Sequence, residues 1–214
     1  MKKTLLLHKQ HWSKKEYRRS LYFGIFLFTV SMFFNHFASI YANMRASNHV
    51  TDILLDNIRV YDVDGILIWG AVLYSAYVIL YALKHPHKIP FFLKSLAIFF
   101  IIRSFFISMT HLGPSPIELY INPADLFSRI IIGKDLFFSG HTGAPFLLAL
   151  VFWKDKLVRN ISLAASIIFG VCVILGHLHY TIDVFSAFFI TYSIYKIVEY
   201  FFPKDLQLFD QGGL

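Results

Sequence analysis

The chain has 214 residues, of which 57% are hydrophobic, 18% aromatic and only 15% charged, a balance that excludes an ordinary soluble surface; a mean hydropathy of +0.58 points the same way. The formal net charge of +7 would suit a nucleic-acid binder if the basic residues formed a patch interleaved with aromatics on a polar face. They cluster instead at the ends of apolar runs, so no nucleic-acid partner is expected. Cys172, the single cysteine, excludes an internal disulfide and a multi-cysteine zinc site and reads as a small apolar helix residue.

In chain order, residues 1–20 are basic, with Trp12 and Tyr17 among the charges, as expected of a segment lying against anionic headgroups. The short apolar run that opens it stops at His8, too soon for a cleaved signal. A first span is predicted from about Leu21 to Tyr41, near the roughly 20 residues a helix needs to cross a bilayer. Asn35 and His36 inside it read as polar residues satisfied by a neighbouring helix. An acidic connector follows over 43–64, where Asp52 and Asp56 share one face if Asp52–Asp56 is helical. The second span, about Ile66 to Leu83, ends in a basic turn with Pro86 and Pro90; His85 and His87 there suit a tight loop at the headgroups.

The third span, about Phe91 to Thr110, contains Arg103, about two turns before its end. Such an arginine can snorkel, pair with a buried acid, or hold an anion. The loop 111–135 is long enough to be functional and carries Asp135, Tyr120 and Phe127. A fourth span begins near Ser139 and ends at Trp153, a fifth runs from about Ile161 to Leu175, and a sixth from Tyr180 to about Phe202, where Pro203 stops it. The expected fold is an all-α integral membrane protein, six transmembrane helices in one bundle over 21–203, with a basic segment at 1–20 and a short tail at 204–214.

Lysines and arginines set the orientation. The side away from both termini holds only Arg45, Arg59, Arg129 and Lys134, and all other basic residues but Arg103 fall on the terminal side. Both termini are therefore expected to be cytoplasmic, in a multi-pass protein of a plasma or inner membrane. Its polar strings Ser139-Gly140-His141-Thr142 and Gly176–Asp183 then face the extracytoplasmic side.

Those strings carry the chemistry. His179 and Asp183, four apart at a helix start, are neighbours on one face. A carboxylate on one imidazole nitrogen fixes the tautomer and raises the basicity of the other, as a nucleophilic or general-base histidine needs. His177, two residues earlier, would face elsewhere. Ser139, Gly140 and Thr142 open another helix, where backbone N–H groups, a close approach at glycine and two hydroxyls can hold a phosphate. His141 is then a second imidazole at the same depth. One histidine can attack phosphorus while the other protonates the leaving oxygen.

Ser139-Gly140-His141 and His179 with Asp183 resemble the second and third signatures of the type 2 phosphatidic acid phosphatase superfamily. The string Asp135–Thr142 is similar to the "GDxxxSGHT" of its sphingomyelin synthase branch, with Lys134 in place of the glycine. His179–Val184 is similar to that branch's "HYTIDV", Arg103-Ser104 with Thr110 and Leu112 to its third-helix motif, and Asp52–Asp56 to the tail of its first outer loop. The resemblance implies six spans, no metal and no cofactor, a nucleophilic His179 supported by Asp183, and His141 as acid toward a diacylglycerol oxygen. The phosphatase branch's Lys-x6-Arg-Pro string is missing, since Lys94 and Arg103 are wrongly spaced, and Val173 stands where that branch has an arginine. A dianionic monoester would need that clamp; a phosphodiester needs less.

The sequence therefore predicts a membrane phosphotransferase that moves a phosphocholine or phosphoethanolamine head from a glycerophospholipid to a ceramide-like alcohol, releasing diacylglycerol. Arg103, Ser139, Gly140 and Thr142 would hold the phosphate. Asp52, Asp56, Asp135, Tyr120 and Phe137 would serve a cationic head. The same site with water as acceptor, a phospholipase C or lipid phosphatase, is the first alternative, and a non-catalytic lipid-binding or transport protein the second. The expected partners are the bilayer, phospholipid and ceramide or diacylglycerol-type lipids, and further copies of the chain in a homo-oligomer.

Overall fold

The computed structural model describes residues 2–119 and 136–211. Tyr120, Asp135, Phe127 and Lys134 lie outside the described residues. Helices α1 (Lys2–Ser13) and α2 (Lys15–Arg45) are separated only by a break at Lys14, whose extended ψ of 122° turns the chain. α2 begins six residues before the expected span and is 31 residues long, about 46 Å at the α-helical rise. α3 (Asp64–Lys84) and α4 (Ile89–Met109) are joined by a 3-10 turn over Pro86–Lys88. The two prolines there begin helical segments, where a missing N–H costs nothing, rather than simply ending one. α5 (Gly140–Val151), α6 (Lys156–Leu175), α7 (Thr181–Phe201) and α8 (Pro203–Gln211) complete the described chain. Pro203 ends α7 as expected but also opens α8, so the predicted tail is largely helical.

All described regular structure is helical, and five helices, α2, α3, α4 with its 3-10 turn, α6 and α7, are long and apolar enough to cross a membrane. The fourth expected span is the exception. α5 has only 12 residues, about 18 Å, against a hydrocarbon core of roughly 30 Å. Its start is set by the Ser139 cap and its end by the Phe152–Lys154 turn, so it reaches from the polar strings only part of the length of α7 beside it.

α4 is the central helix: half of its most apolar stretch is buried, against 17% for α2. Phe91 and Phe99 of α4 pack with Phe138, Leu147 and Phe152 around α5, Ile194 and Val198 of α7, and Phe209 of α8. A second core joins Leu67 of α3, Phe169 and Val173 of α6, and Val184 of α7. α2 lies chiefly on α4 and α3 chiefly on α6, while α2 and α3 scarcely touch. The aromatic side chains exposed along α2, such as Phe26, Phe33 and Phe37, suit a lipid-facing helix.

The two ends of the bundle differ in chemistry. At one, Lys94 is 3% exposed and bonds Asp205 and Ser20, Lys88 pairs with Asp155 at 2.9 Å, and Tyr17 donates to the Pro86 carbonyl at 2.9 Å. At the other, the segments 46–62, 111–119 and 175–183 are laced together through backbone bonds, Ser47 N to His111 O, Gly113 N to Asn48 O, Tyr61 N to Leu175 O and Leu119 N to Gly176 O. A Cβ at Gly113 would come within 2.2 Å of the Ser47 carbonyl, so only glycine permits this approach.

Candidate active site

The two polar strings meet at that laced end. Ser139 N donates to the Asp183 carbonyl at 3.1 Å, joining the start of α5 to the first turn of α7. The His141 and His179 rings then face each other with centroids 6.2 Å apart and planes at 65°. His179 Nδ1 lies 3.3 Å from Asp183 Oδ2, which also accepts the Tyr180 N–H at 3.0 Å. The bond assigns the Nδ1–H tautomer to His179 and leaves the ring lone pair on Nε2. His179 is 4% and Asp183 0% exposed, so the pair is screened from bulk water except through the cavity described below.

The turn before this pair has a specific build. α6 ends at Leu175, and His177 adopts φ 54°. Its N–H donates to the Ile174 carbonyl at 3.0 Å and that of Leu178 to the Val173 carbonyl at 2.8 Å, the two bonds of a Schellman ending with histidine where glycine is usual. This aims the chain directly into Tyr180 and α7. Val173 is fully buried, in the core rather than near phosphate.

On α5, the Ser139 side chain caps the helix: its oxygen accepts from Thr142 N at 3.4 Å and from Thr142 Oγ1 at 3.2 Å. Both side chains are fully buried, so they hold the helix start together, and the Thr142 hydroxyl proton is spent within the cap. Ser166 of α6 donates to the Thr142 carbonyl at 2.8 Å. Pro145 lacks the N–H that would bond the His141 carbonyl within the helix.

Arg103, 6% exposed, lies directly beneath Gly140: a Cβ there would be 3.1 Å from Nε and 3.3 Å from Cζ. Its Nε donates to the Phe138 carbonyl at 3.0 Å and its Nη1 approaches Asn35 Oδ1 at 3.5 Å. Arg103 thus neither snorkels to an end nor depends on an acid alone; it is held by a carbonyl and an amide with its planar face against glycine. Lys94 sits nine residues earlier on α4, about 13 Å along the helix, in the ion pair at the far end.

Arg103, Gly140, His141 and His179 line one part of a cavity of about 710 Å³. Most of the remaining lining is apolar, from Phe28 and Met32 of α2, Val78 and Ile79 of α3, and Phe92, Leu96 and Phe100 of α4. Asn35, His36 and Ser39 of α2 add polar groups. His36 is exposed on α2 and faces this space rather than being satisfied by a neighbouring helix; Asn35 reaches Arg103. A polar triplet in an apolar helix at the depth of Arg103 was the available signal for both.

The remaining expected site residues lie elsewhere. Phe137 packs on Phe106 and Phe138, and Asp56 is exposed and accepts the Asp52 N–H at 2.9 Å. Asp52 is buried against Thr181. Burial pushes its carboxyl up, but the Thr181 hydroxyl and the N–H groups of Leu55, Leu54 and Thr181 together hold it below its ordinary value. None of the three lines the cavity. Among the described residues no group of three or more His, Cys, Asp or Glu is placed to hold a metal ion.

No curated protein and no solved structure matches the chain. Residues 134–200, which include His141, His179 and Asp183, match the family model described as PAP2 superfamily C-terminal.

Proposed function

We propose that the chain is a lipid phosphotransferase that moves a phosphocholine or phosphoethanolamine head from a glycerophospholipid to a ceramide-like alcohol, from an active site on the extracytoplasmic side. The observation that carries it is the facing pair His141 and His179, backed by Asp183, at the polar part of a large and mostly apolar cavity. α2 and α3 line that cavity and scarcely touch, which leaves a side by which a lipid enters from the bilayer.

In the first half-reaction the Nε2 lone pair of His179 attacks phosphorus, the bond from phosphorus to the diacylglycerol oxygen breaks, and His141 gives that oxygen its proton. Arg103 offsets charge on the non-bridging oxygens, and Asp183 offsets the positive charge that the phosphorylated ring carries. In the second half-reaction the acceptor hydroxyl loses its proton to His141 and attacks phosphorus, and the nitrogen–phosphorus bond breaks. Both histidines return to their starting states. Arg103 as the single arginine or lysine among the described residues lining the cavity suits a phosphodiester, with one negative charge, better than a dianionic monoester.

Purified protein incubated with labelled phosphatidylcholine, with and without ceramide, tests the reading. Label is expected on ceramide and diacylglycerol release is expected to depend on ceramide. Release at the same rate without ceramide would make water the acceptor and the protein a phospholipase C, and no conversion of any phospholipid would leave a non-catalytic lipid binder.

A graded test uses Gly140→Ala. The added methyl must displace the Arg103 guanidinium by a few tenths of an ångström, with the helix otherwise favoured by alanine. The expected result is an unchanged or slightly raised Tm with kcat/KM lowered on the order of tenfold, since small displacements of a charge at the reacting centre are costly.

A further inference from the structure

The loop carrying Asp52 does not reach the cavity, yet it is bonded to the start of the helix that carries Asp183 and follows His179. Asp52 Oδ2 accepts the Thr181 N–H at 2.7 Å, and Oδ1 accepts the Thr181 hydroxyl at 2.6 Å, the Leu54 N–H at 2.9 Å and the Leu55 N–H at 3.1 Å. Three donors crowd Oδ1 and one meets Oδ2, so both oxygens are engaged within the protein. At 9% exposure little of it is left to meet a cationic head group.

What those bonds hold is the first turn of α7. A helix start has four N–H groups without partners inside the helix. Here Asp183 takes that of Tyr180 from within α7, and Asp52 takes that of Thr181 from another segment, adding a negative charge at the positive end of the helix. The neighbouring Tyr180 side chain is fixed as well, donating to the Gly113 carbonyl at 2.8 Å and accepting from Val50 N at 3.3 Å. The backbone of residues 180–181, between His179 and Asp183, is thus held from both outer segments.

We propose that Asp52 is a positioning residue for the His179–Asp183 pair, acting by capping α7 from outside rather than by contacting substrate. The effect on lipid turnover rests on the reading of His179 as nucleophile; the capping itself does not. The test compares the full chain in detergent micelles with its Asp52→Ala, Asp52→Asn and Thr181→Val variants, using fluorescent phosphatidylcholine and ceramide. Asp52→Ala is expected to lower kcat about 10- to 100-fold, the scale of a misplaced reacting group, with KM within about twofold, and to slow phosphohistidine formation in a single turnover equally. Asp52→Asn keeps an acceptor and is expected to recover part of that loss. Thr181→Val removes one bond and is expected to cost less, and adding it to Asp52→Ala is expected to cost nothing more.

A KM raised tenfold or more for choline lipids with kcat retained would make Asp52 a head-group residue and overturn the proposal, as would unchanged kcat and KM. If the wild-type chain converts no lipid, the functional reading fails and the capping is still decided by hydrogen exchange. Amides of residues 181–184 are expected to exchange faster in Asp52→Ala and to be intermediate in Thr181→Val; unchanged exchange would overturn it.

Discussion

His179→Ala is expected to lower lipid turnover by about 10⁴-fold or more and to abolish the phosphoenzyme, because it removes the atom that would carry the phosphoryl group. The fold should survive. The imidazole borders the cavity, so truncation enlarges an existing space, and Asp183 Oδ2 keeps its bond from Tyr180 N. The measurement is transfer of label from a phospholipid carrying a labelled phosphate to the protein, as an adduct that is acid-labile and stable to base. His141→Ala gives the contrast that assigns the roles. With the leaving oxygen deprived of its proton donor, turnover should fall about 10²- to 10⁴-fold while a labelled protein still forms slowly. Loss of label in His141→Ala but not in His179→Ala would exchange the two roles. The expected assignment rests on the Asp183 carboxylate bonded to His179, which would orient that ring.

Patterns local in the sequence were legible, and contacts between distant segments were not. The H-x-x-x-D spacing pointed to the His179–Asp183 contact, although His179 precedes α7 and is met by Asp183 reaching back over the helix start rather than along one helix face, and a helix start near Ser139 was readable from residue type before an apolar run. Five spans were marked by hydrophobic length alone. The short α5 was not, because its apolar run continues through Phe152 and Trp153 while the helix stops at Val151; beyond the helix Phe152 is buried in the core and Trp153 is exposed. Asp52 had the right type and the wrong expected task. Nothing within the acidic connector says that its carboxylate would meet the Thr181 amide, a contact made only when the outer segments close over α7. Asn35 was read as a helix–helix contact, and it is one, but with the arginine that borders the site.

The short α5 also places the chemistry. Its start is joined to the start of α7, while its other end meets Lys154, near the ion pairs of the far end. About 18 Å of helix therefore separates the histidines from that basic end, and α4 continues six residues, about 9 Å, past Arg103 before it ends at Met109. On the proposed reading, the phosphate is handled somewhat below the outer surface, where charge interactions are stronger than in water.

Asp183→Asn is the sharpest test of that electrostatic reading, because it changes charge while sparing shape. Both bonds accepted by the Asp183 carboxylate go to Oδ2, and Oδ1 is buried without a partner among the described residues. An asparagine can therefore turn its carbonyl oxygen to His179 Nδ1 and Tyr180 N and put its amide where Oδ1 was, with the imidazole still oriented. What it cannot do is offset the charge of a ring that bears a phosphoryl group on Nε2 and a proton on Nδ1. The expected result is a folded protein whose kcat falls about 10²- to 10⁴-fold, KM changing little, and whose phosphoenzyme forms slowly. Asp183→Ala removes the bonds as well, leaves the Tyr180 N–H without a cap, and should add a loss of Tm that Asp183→Asn lacks. If Asp183→Asn kept full activity, orientation alone would be the carboxylate's contribution, and the positive phosphorylated ring would have to be offset by the anionic oxygen of the phosphoryl group it carries.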